Sequence, residues 1–363
     1  MSQSNPVKAR EHLKPPVTEV GVLGWIHQNL FNSWFNSLLT LLALYGLFVT
    51  IPPMFKWAFV DSLWFSGPEA CREIDGACWS IIPSNARFIF LGFFPEDQQW
   101  RPLIAMILLF VLVFYTQNRK SWNRALFPIW VCGLFVMGWL MHGGLGMPVV
   151  ETAKWSGLPL TLILSLFGMV GAYPLGVLLA LGRRSKLPVI HSLSVVYIEL
   201  IRGVPLISML FMSSIMFPLF LPEGVTFDKV LRAQVAIILF TAAYIAEVVR
   251  GGLQAIPKGQ YEAADSLGLK YGQAMRLIVL PQALKIVIPP SVGILISAFK
   301  DTSLVVIIAL YDVLKTTKVT LSNPEWMGYS SEAYLFLAVL YFIFCYAMSN
   351  YSRKLEKALH RGH

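Results

Sequence analysis

The chain has 363 residues, of which 56% are hydrophobic and only 13% are charged. Soluble domains carry about 25% charged residues, so this composition excludes an ordinary soluble protein and a disordered chain. Four cysteines are too few for a disulfide-rich secreted scaffold of this length. The polar first 32 residues, which include Lys8, Arg10 and Lys14, do not have the pattern of a cleaved signal peptide.

Long apolar segments predict an all-α, polytopic membrane protein with about eight transmembrane helices. A hydrocarbon core of about 30 Å needs roughly 20 apolar helical residues, and these segments lack the period-two alternation of barrel strands. We expect Pro205 and Pro218 to kink or restart the fifth segment, and Pro289-Pro290 to do the same in the seventh. The segments are 34–51, 102–116, 125–141, 158–181, 193–221, 231–249, 284–310 and 333–350.

The net charge of +9 could indicate a nucleic-acid partner, but the distribution of basic residues favours membrane topology as its cause. With both termini in the cytoplasm, eighteen Lys and Arg fall on the cytoplasmic side and ten on the opposite side, and Arg202 lies inside a span. This bias follows the positive-inside rule. We therefore expect a multi-pass protein with cytoplasmic termini, lipid around it and no nucleic acid bound.

The loop over 52–100 is exported in this topology and contains Cys71 and Cys78. An oxidising compartment favours a small disulfide between them over two unpaired thiols. Cys132 and Cys345 fall within apolar segments and are expected to pack there. No spacing of ligands indicates a metal site.

The loop over 250–283 is predicted to be cytoplasmic and to contain two short helices. The first covers Gln260 to Leu267 and is ended by Gly268. The second covers Tyr271 to Val279, and the chain then returns to the membrane. Such a compact projection suits docking into a groove on another protein.

Several motifs in the second half of the chain resemble the ABC importer permeases. The loop resembles their "EAA" coupling loop at Glu262, Ala263, Ala264, Gly268, Leu280 and Pro281. Three more stretches resemble the polar amino-acid branch of that family: Glu199 to Leu206, Ala243 to Gly252 and Lys300 to Leu304. The resemblance covers residues 158–363 and implies a five-helix type I importer core. Residues 1–157, an extension with about three spans, resemble the M-type permease of the general L-amino-acid uptake systems.

The resemblance implies a non-catalytic permease subunit that moves L-amino acids across a bacterial inner membrane by alternating access. Its implied partners are two ATPase subunits, a second homologous permease and a periplasmic amino-acid-binding protein. ATP and Mg would be used by the ATPase, and this chain would bind no cofactor. The chain itself lacks the Gly-x4-Gly-Lys-[Ser/Thr] phosphate loop.

Ionisable residues inside spans are costly, so each is a functional candidate. Glu199 and Arg202 share a helix face and could form an ion pair, with a structural role favoured over substrate contact. Glu247 and Arg250 share the same spacing and are expected to anchor the base of the loop.

The stretch from Lys300 to Ser303 lies about 24 Å along the seventh span, counted at about 1.5 Å per residue. A broken helix there, with Thr302 and Ser303 satisfying freed backbone groups, could bind a zwitterion between Lys300 and Asp301. The alternative is a lysine that snorkels to the exported surface beside its counter-ion.

Two other classes of membrane protein remain as alternatives. An ion-coupled secondary transporter needs inverted repeats, which are not evident, and a midplane carboxylate, for which Asp301 is the sole good candidate. An integral membrane enzyme needs clustered His, Asp or Cys residues, and the sequence shows no such cluster.

Overall fold

The computed structural model describes residues 21–118 and 121–360. The predicted cytoplasmic N-terminus before residue 21, the basic pair Arg119 and Lys120, and residues 361–363 lie outside the described residues. The described chain forms two compact units, one that ends at Cys78 and one that begins at Trp79. The all-α polytopic fold class is confirmed.

The first unit is built around one long apolar helix. Its helices are α1 (Gly21–Leu30), α2 (Trp34–Phe55) and α3 (Pro68–Cys71). The hydroxyl of Ser33 caps α2 by accepting a hydrogen bond from the Asn36 N–H at 3.2 Å. No residue of α2 is buried, as expected for a helix whose apolar side chains face lipid.

The second unit holds the remaining helices and a two-residue strand. They are α4 (Ile81–Leu91), α5 (Trp100–Gln117), α6 (Leu126–His142), α7 (Gly157–Arg183), α8 (Pro188–Arg202), α9 (Leu206–Phe211), α10 (Phe217–Leu219), α11 (Lys229–Gln254), α12 (Lys258–Ser266), α13 (Tyr271–Ala274), α14 (Leu280–Asp301), β1 (Tyr311–Asp312), α15 (Val313–Thr320) and α16 (Ser330–His360). The strand pairs in parallel with Ser156 and Gly157, at the start of α7.

Six helical segments of the described chain are long and apolar enough to cross a membrane. They are Trp34–Val60, Glu96–Gln117, Gly157–Arg183, Lys229–Gln254, Tyr271–Ile308 and Ser330–Lys357. The third predicted segment corresponds to α6, which has 17 residues. The six long segments and α6 therefore agree roughly with the eight predicted spans.

Two predictions about prolines have different outcomes. The fifth predicted segment is broken at Pro205, as expected: α8 ends at Arg202, and the helix that begins after Pro205 lies at an angle of 103° to it. Proline disfavours helix at the residue before it, which explains the break. No restart occurs at Pro289-Pro290: α14 continues through both prolines and packs against α11.

The most extensive helix pair is α7 with α11. Small residues recur every fourth position on the buried face of α7, at Gly168, Ala172, Gly176 and Ala180. A Cβ at Gly176 would lie 2.6 Å from a methyl carbon of Ile245 on α11. The small-residue stripe therefore lets the two helices approach closely, as in many membrane bundles.

A buried hydrogen bond joins the end of the predicted extension to the predicted core. The Thr316 hydroxyl of α15 donates to the Ile89 carbonyl of α4 at 2.7 Å. Apolar residues of α4, α5 and α6 share one buried cluster with α7, α14 and α16. The structure separates into compact units at 78/79, and the division at 157/158 stays a prediction.

Candidate functional site

The projecting loop begins with α12, two residues earlier than the sequence predicts. Pro257 is extended and precedes the helix, and Gly268 follows it with φ +69°, a left-handed conformation that glycine adopts readily. Ala264 is fully buried, while Glu262 and Ala263 are exposed. The loop thus presents a carboxylate and a small side chain outward.

The second predicted loop helix is not a separate element. Tyr271–Ala274 continues through a π-helical turn at Met275–Val279 into α14, so that 271–308 forms one helical segment. The Leu280 N–H donates to the Met275 carbonyl. Leu280 and Pro281 therefore lie inside a continuous helix, because the wider turn lets the helix pass a proline that has no N–H to donate.

Arg184 connects α12 to the end of α7. Its guanidinium donates to the Leu253 carbonyl at 2.8 Å and to the Tyr261 hydroxyl at 3.2 Å, and it lies 5.8 Å from the centre of the Tyr261 ring. Gln282 of α14 donates to the Gln260 side chain at 3.0 Å. The loop helix is therefore tied by side chains to three membrane helices: α7, α11 and α14.

Five charged residues form an ion cluster close to this point. Arg183 contacts Glu199 at 2.8 Å and Glu247 at 3.0 Å, and Arg202 contacts Glu247 at 3.8 Å. The Nε of Arg250 donates to Glu247 at 2.7 Å, so the expected Glu247–Arg250 pair forms. The expected Glu199–Arg202 pair does not form among the described residues, because both side chains turn to partners on neighbouring helices. We call these five residues the ion cluster.

A cavity of about 520 Å³ lies between α11 and α14. Asp301 lines it, together with Phe240, Thr241, Tyr244 and Ser297. Spacing alone could have indicated these residues, since Phe240 and Tyr244, like Ser297 and Asp301, are four positions apart on one helix face. The sequence indicates Asp301 but not Phe240, Thr241, Tyr244 or Ser297, because aromatic residues and hydroxyls are common in spans.

Lys300, Thr302 and Ser303 do not line this cavity. The Thr302 hydroxyl donates to the Phe299 carbonyl at 2.7 Å, and the Ser303 hydroxyl donates to the Lys300 carbonyl at 2.8 Å. The helix narrows to a 3-10 helix at Thr302–Ile308. In the described part of the chain, Lys300 and Asp301 form no ion pair with each other.

In the other unit, a disulfide joins Cys71 and Cys78, whose Cα atoms are 5.6 Å apart. Across the described ranges there is no group of three or more His, Cys, Asp or Glu that could hold a metal ion.

Comparison with known proteins identifies the family. Residues 172–361 match the model of the binding-protein-dependent transport system inner membrane component. The chain belongs to this family. It is 47% identical over 341 residues to the inner membrane amino-acid ABC transporter permease protein YhdY of Escherichia coli, covering 93% of each chain.

Two further similarities agree with this assignment. The chain is 37% identical over 417 aligned positions to BztC of Rhodobacter capsulatus, a glutamate/glutamine/aspartate/asparagine transport system permease, with 96% of each chain covered. A crystal structure of an amino acid ABC transporter with histidines matches 56% of this chain and 92% of its own, with 30% identity and a TM-score of 0.51.

The family assignment confirms several predictions. The chain is a multi-pass inner-membrane permease subunit of an ABC importer. Permease subunits of this family are non-catalytic translocation components. Such permeases function with an ATPase and other subunits. The ion-coupled transporter is not favoured.

Proposed function

We propose that this permease carries L-amino acids, with broad specificity, across the bacterial inner membrane by alternating access. In this proposal, residues 158–363 form the five-helix translocation core, and both chain termini lie in the cytoplasm. The substrate class is supported by the two relatives YhdY and BztC, which are both amino-acid permeases. The observation that carries the proposal is the side-chain connection between α12 and the membrane helices.

The proposed coupling step begins at the exposed face of α12. Glu262 and Ala263 face outward, so this face can enter a groove on one of two ATPase subunits. Those subunits would bind ATP and Mg, and their closure would push α12 toward the membrane. Arg184 would pass this movement to α7 and α11 through the Tyr261 hydroxyl and the Leu253 carbonyl.

The ion cluster would then move α7, α8 and α11 together. Its partners lie on all three helices, so displacement of one helix stretches ion pairs to the other two. Arg202 also lies 5.8 Å from the ring centre of Tyr244, which lines the cavity. This contact offers a path from the loop to the cavity.

The cavity between α11 and α14 is the proposed substrate pathway of this subunit. Asp301 provides a carboxylate that would attract the ammonium group of an amino acid. A second, homologous permease would complete the pathway, and a periplasmic binding protein would deliver the substrate. Thr302 and Ser303 would stabilise the change from α-helix to 3-10 helix beside Asp301, through their hydrogen bonds to the Phe299 and Lys300 carbonyls.

The test is charge reversal on the exposed face of the loop. Glu262→Arg should abolish co-purification of the ATPase and amino-acid-dependent ATP hydrolysis, because the reversed charge opposes docking. Glu223→Arg is the matched control, since Glu223 is also exposed but lies in the connection between α10 and α11. The measurements are identification of co-purified chains by mass spectrometry, ATP hydrolysis, and uptake of labelled amino acids.

The proposal fails if Glu262→Arg leaves hydrolysis and uptake unchanged. It also fails if uptake depends on a proton or sodium gradient and continues without the ATPase. In that case the coupling role of α12 would be wrong, and Asp301 would become the candidate for ion coupling.

A further inference from the structure

A second cavity, of about 600 Å³, lies where α7 ends and the π-helical turn begins. It is a different surface from the exposed face of α12. Its lining combines apolar walls with basic side chains, and it includes Leu181, Lys186, Leu187, Met275, Arg276 and Leu280. We call it the basic pocket.

The basic pocket carries positive charge that no described residue neutralises in an ion pair. None of the nine described residues that line it is acidic. Lys186 and Arg276 are exposed, and neither forms an ion pair with any other described residue. Two uncompensated cations on the wall of one concave site favour an anionic ligand.

The surroundings of the pocket place it at the edge of the hydrocarbon layer. Immediately after Pro188, α8 presents Val189, Leu193, Val196 and Leu200, which are between 58% and 70% exposed. Their spacing of three and four positions forms one apolar face, as expected of a helix surface in contact with lipid. Leu187, in the pocket wall, is the residue just before α8 and is 59% exposed.

We propose that the basic pocket binds the phosphate headgroup of an anionic phospholipid. Lys186 and Arg276 contact the phosphate, and an acyl chain lies against Leu187 and along the apolar face of α8. Basic pockets between membrane helices on the cytoplasmic side are suited to such headgroups. The pocket lies on the side where the basic residues of the chain are concentrated, an orientation taken from the proposed function.

A protein partner is the competing occupant and is less favoured by these observations. The pocket opens beside a face of exposed aliphatic side chains, which suits acyl chains better than a water-exposed subunit. Bound lipid would also have a mechanical effect, because Met275 lies in the π-helical turn that joins the loop to α14. The headgroup would therefore brace the base of the coupling loop.

The test uses the full-length protein in a mild, uncharged detergent, with its melting temperature measured as phosphatidylglycerol is added. Lys186→Gln combined with Arg276→Gln should weaken the apparent affinity for this lipid by about 25-fold, which is about fivefold for each basic residue. Lys285→Gln combined with Lys354→Gln is the matched control, because it removes two exposed charges outside the pocket. The control should titrate like the wild type.

Each of the following results would contradict the binding of an anionic lipid. Equal stabilisation by zwitterionic phosphatidylcholine, or an equal response in the pocket variant, overturns the proposal. If inorganic phosphate stabilises the wild type as strongly as the lipid, the ligand is a soluble phosphate. If the pocket variant loses the ATPase but keeps its lipid response, the pocket is a protein contact. The lipid titration requires no ATPase, so it is independent of the outcome of the Glu262→Arg test.

Discussion

The carboxyl group of Asp312 is buried between α15 and the start of α7. One of its oxygens, Oδ1, accepts a hydrogen bond from the Lys315 N–H at 2.9 Å and caps α15. The other, Oδ2, is buried and has no hydrogen-bond partner in the part of the chain that the structure describes. Burial raises the pKa of Asp312 to about 6 from its ordinary value of 3.8, although the nearby backbone N–H groups and Lys318 oppose this shift.

This raised pKa predicts the sign of a pH effect. Well below pH 3.8 the carboxyl is protonated in both folded and unfolded chains and has no effect; stability falls as pH rises from about 4 to about 6 and then levels off. Asp312→Asn keeps an oxygen to cap α15 and removes the charge. Above pH 6 it should therefore stabilise the protein by about 3 kcal/mol, which is the shift converted at about 1.4 kcal/mol per pH unit.

The measurement is the melting temperature of both proteins from pH 4 to pH 8 in one detergent. The difference should be largest at pH 8 and close to zero at pH 4. A difference that grows toward acid pH would contradict the assignment of a costly buried charge.

At the scale of the element, close helix contacts distinguish neighbouring glycines. Gly252 of α11 faces α14, where an added Cβ would overlap a methyl carbon of Val287 and lie 3.0 Å from the Ala283 carbonyl oxygen. Its neighbour Gly251 has nothing within 4 Å of the same position. Both belong to the stretch that resembles the amino-acid branch, so sequence alone does not separate them.

Gly252→Ala should therefore destabilise the protein by about 1–3 kcal/mol, because overpacking forces the helices apart. Gly251→Ala should be neutral or stabilise by up to about 1 kcal/mol, since alanine favours helix. Melting temperatures of the two variants provide the comparison. Equal effects would show that α11 and α14 are not packed this closely.

The elements themselves show where local pattern is a sufficient guide. Gly268 ends α12 as predicted because a positive φ is a local requirement that glycine meets. The continuity of α13 with α14 was not predictable in the same way. Pro281 indicates a helix start by local rules, whereas the π-helical turn before it permits a helix to pass through.

At the scale of the whole molecule, the ion cluster joins three helices that are far apart in sequence. Glu247 is its centre, with Arg183, Arg202 and Arg250 all within ion-pair distance, and its side chain is 21% exposed. Among the described residues, Glu199 forms one ion pair in the cluster, with Arg183, and its side chain is 54% exposed. The two acids should therefore contribute unequally to stability.

Glu247→Gln should destabilise the protein by about 2–3 kcal/mol, because it leaves partly buried guanidinium groups without their counter-ion. Glu199→Gln should cost less than about 1 kcal/mol, as is usual for an exposed ion pair. The check is thermal unfolding of both variants at low and high salt, where only the Glu199 effect should be strongly screened. A larger loss from Glu199→Gln would contradict the central position of Glu247.

Sequence alone determined the membrane class, the apolar segments, the family resemblance and the position of the loop helix. These features follow from composition and from patterns within a few neighbouring residues, because hydrophobic length and backbone preferences act locally. Only the tertiary structure decided which charges pair, which residues line the cavity with Asp301, and where the compact units separate. Ion pairing and cavity shape depend on distances between helices that are remote in sequence, so Glu199 turns to Arg183 although Arg202 stands three residues away.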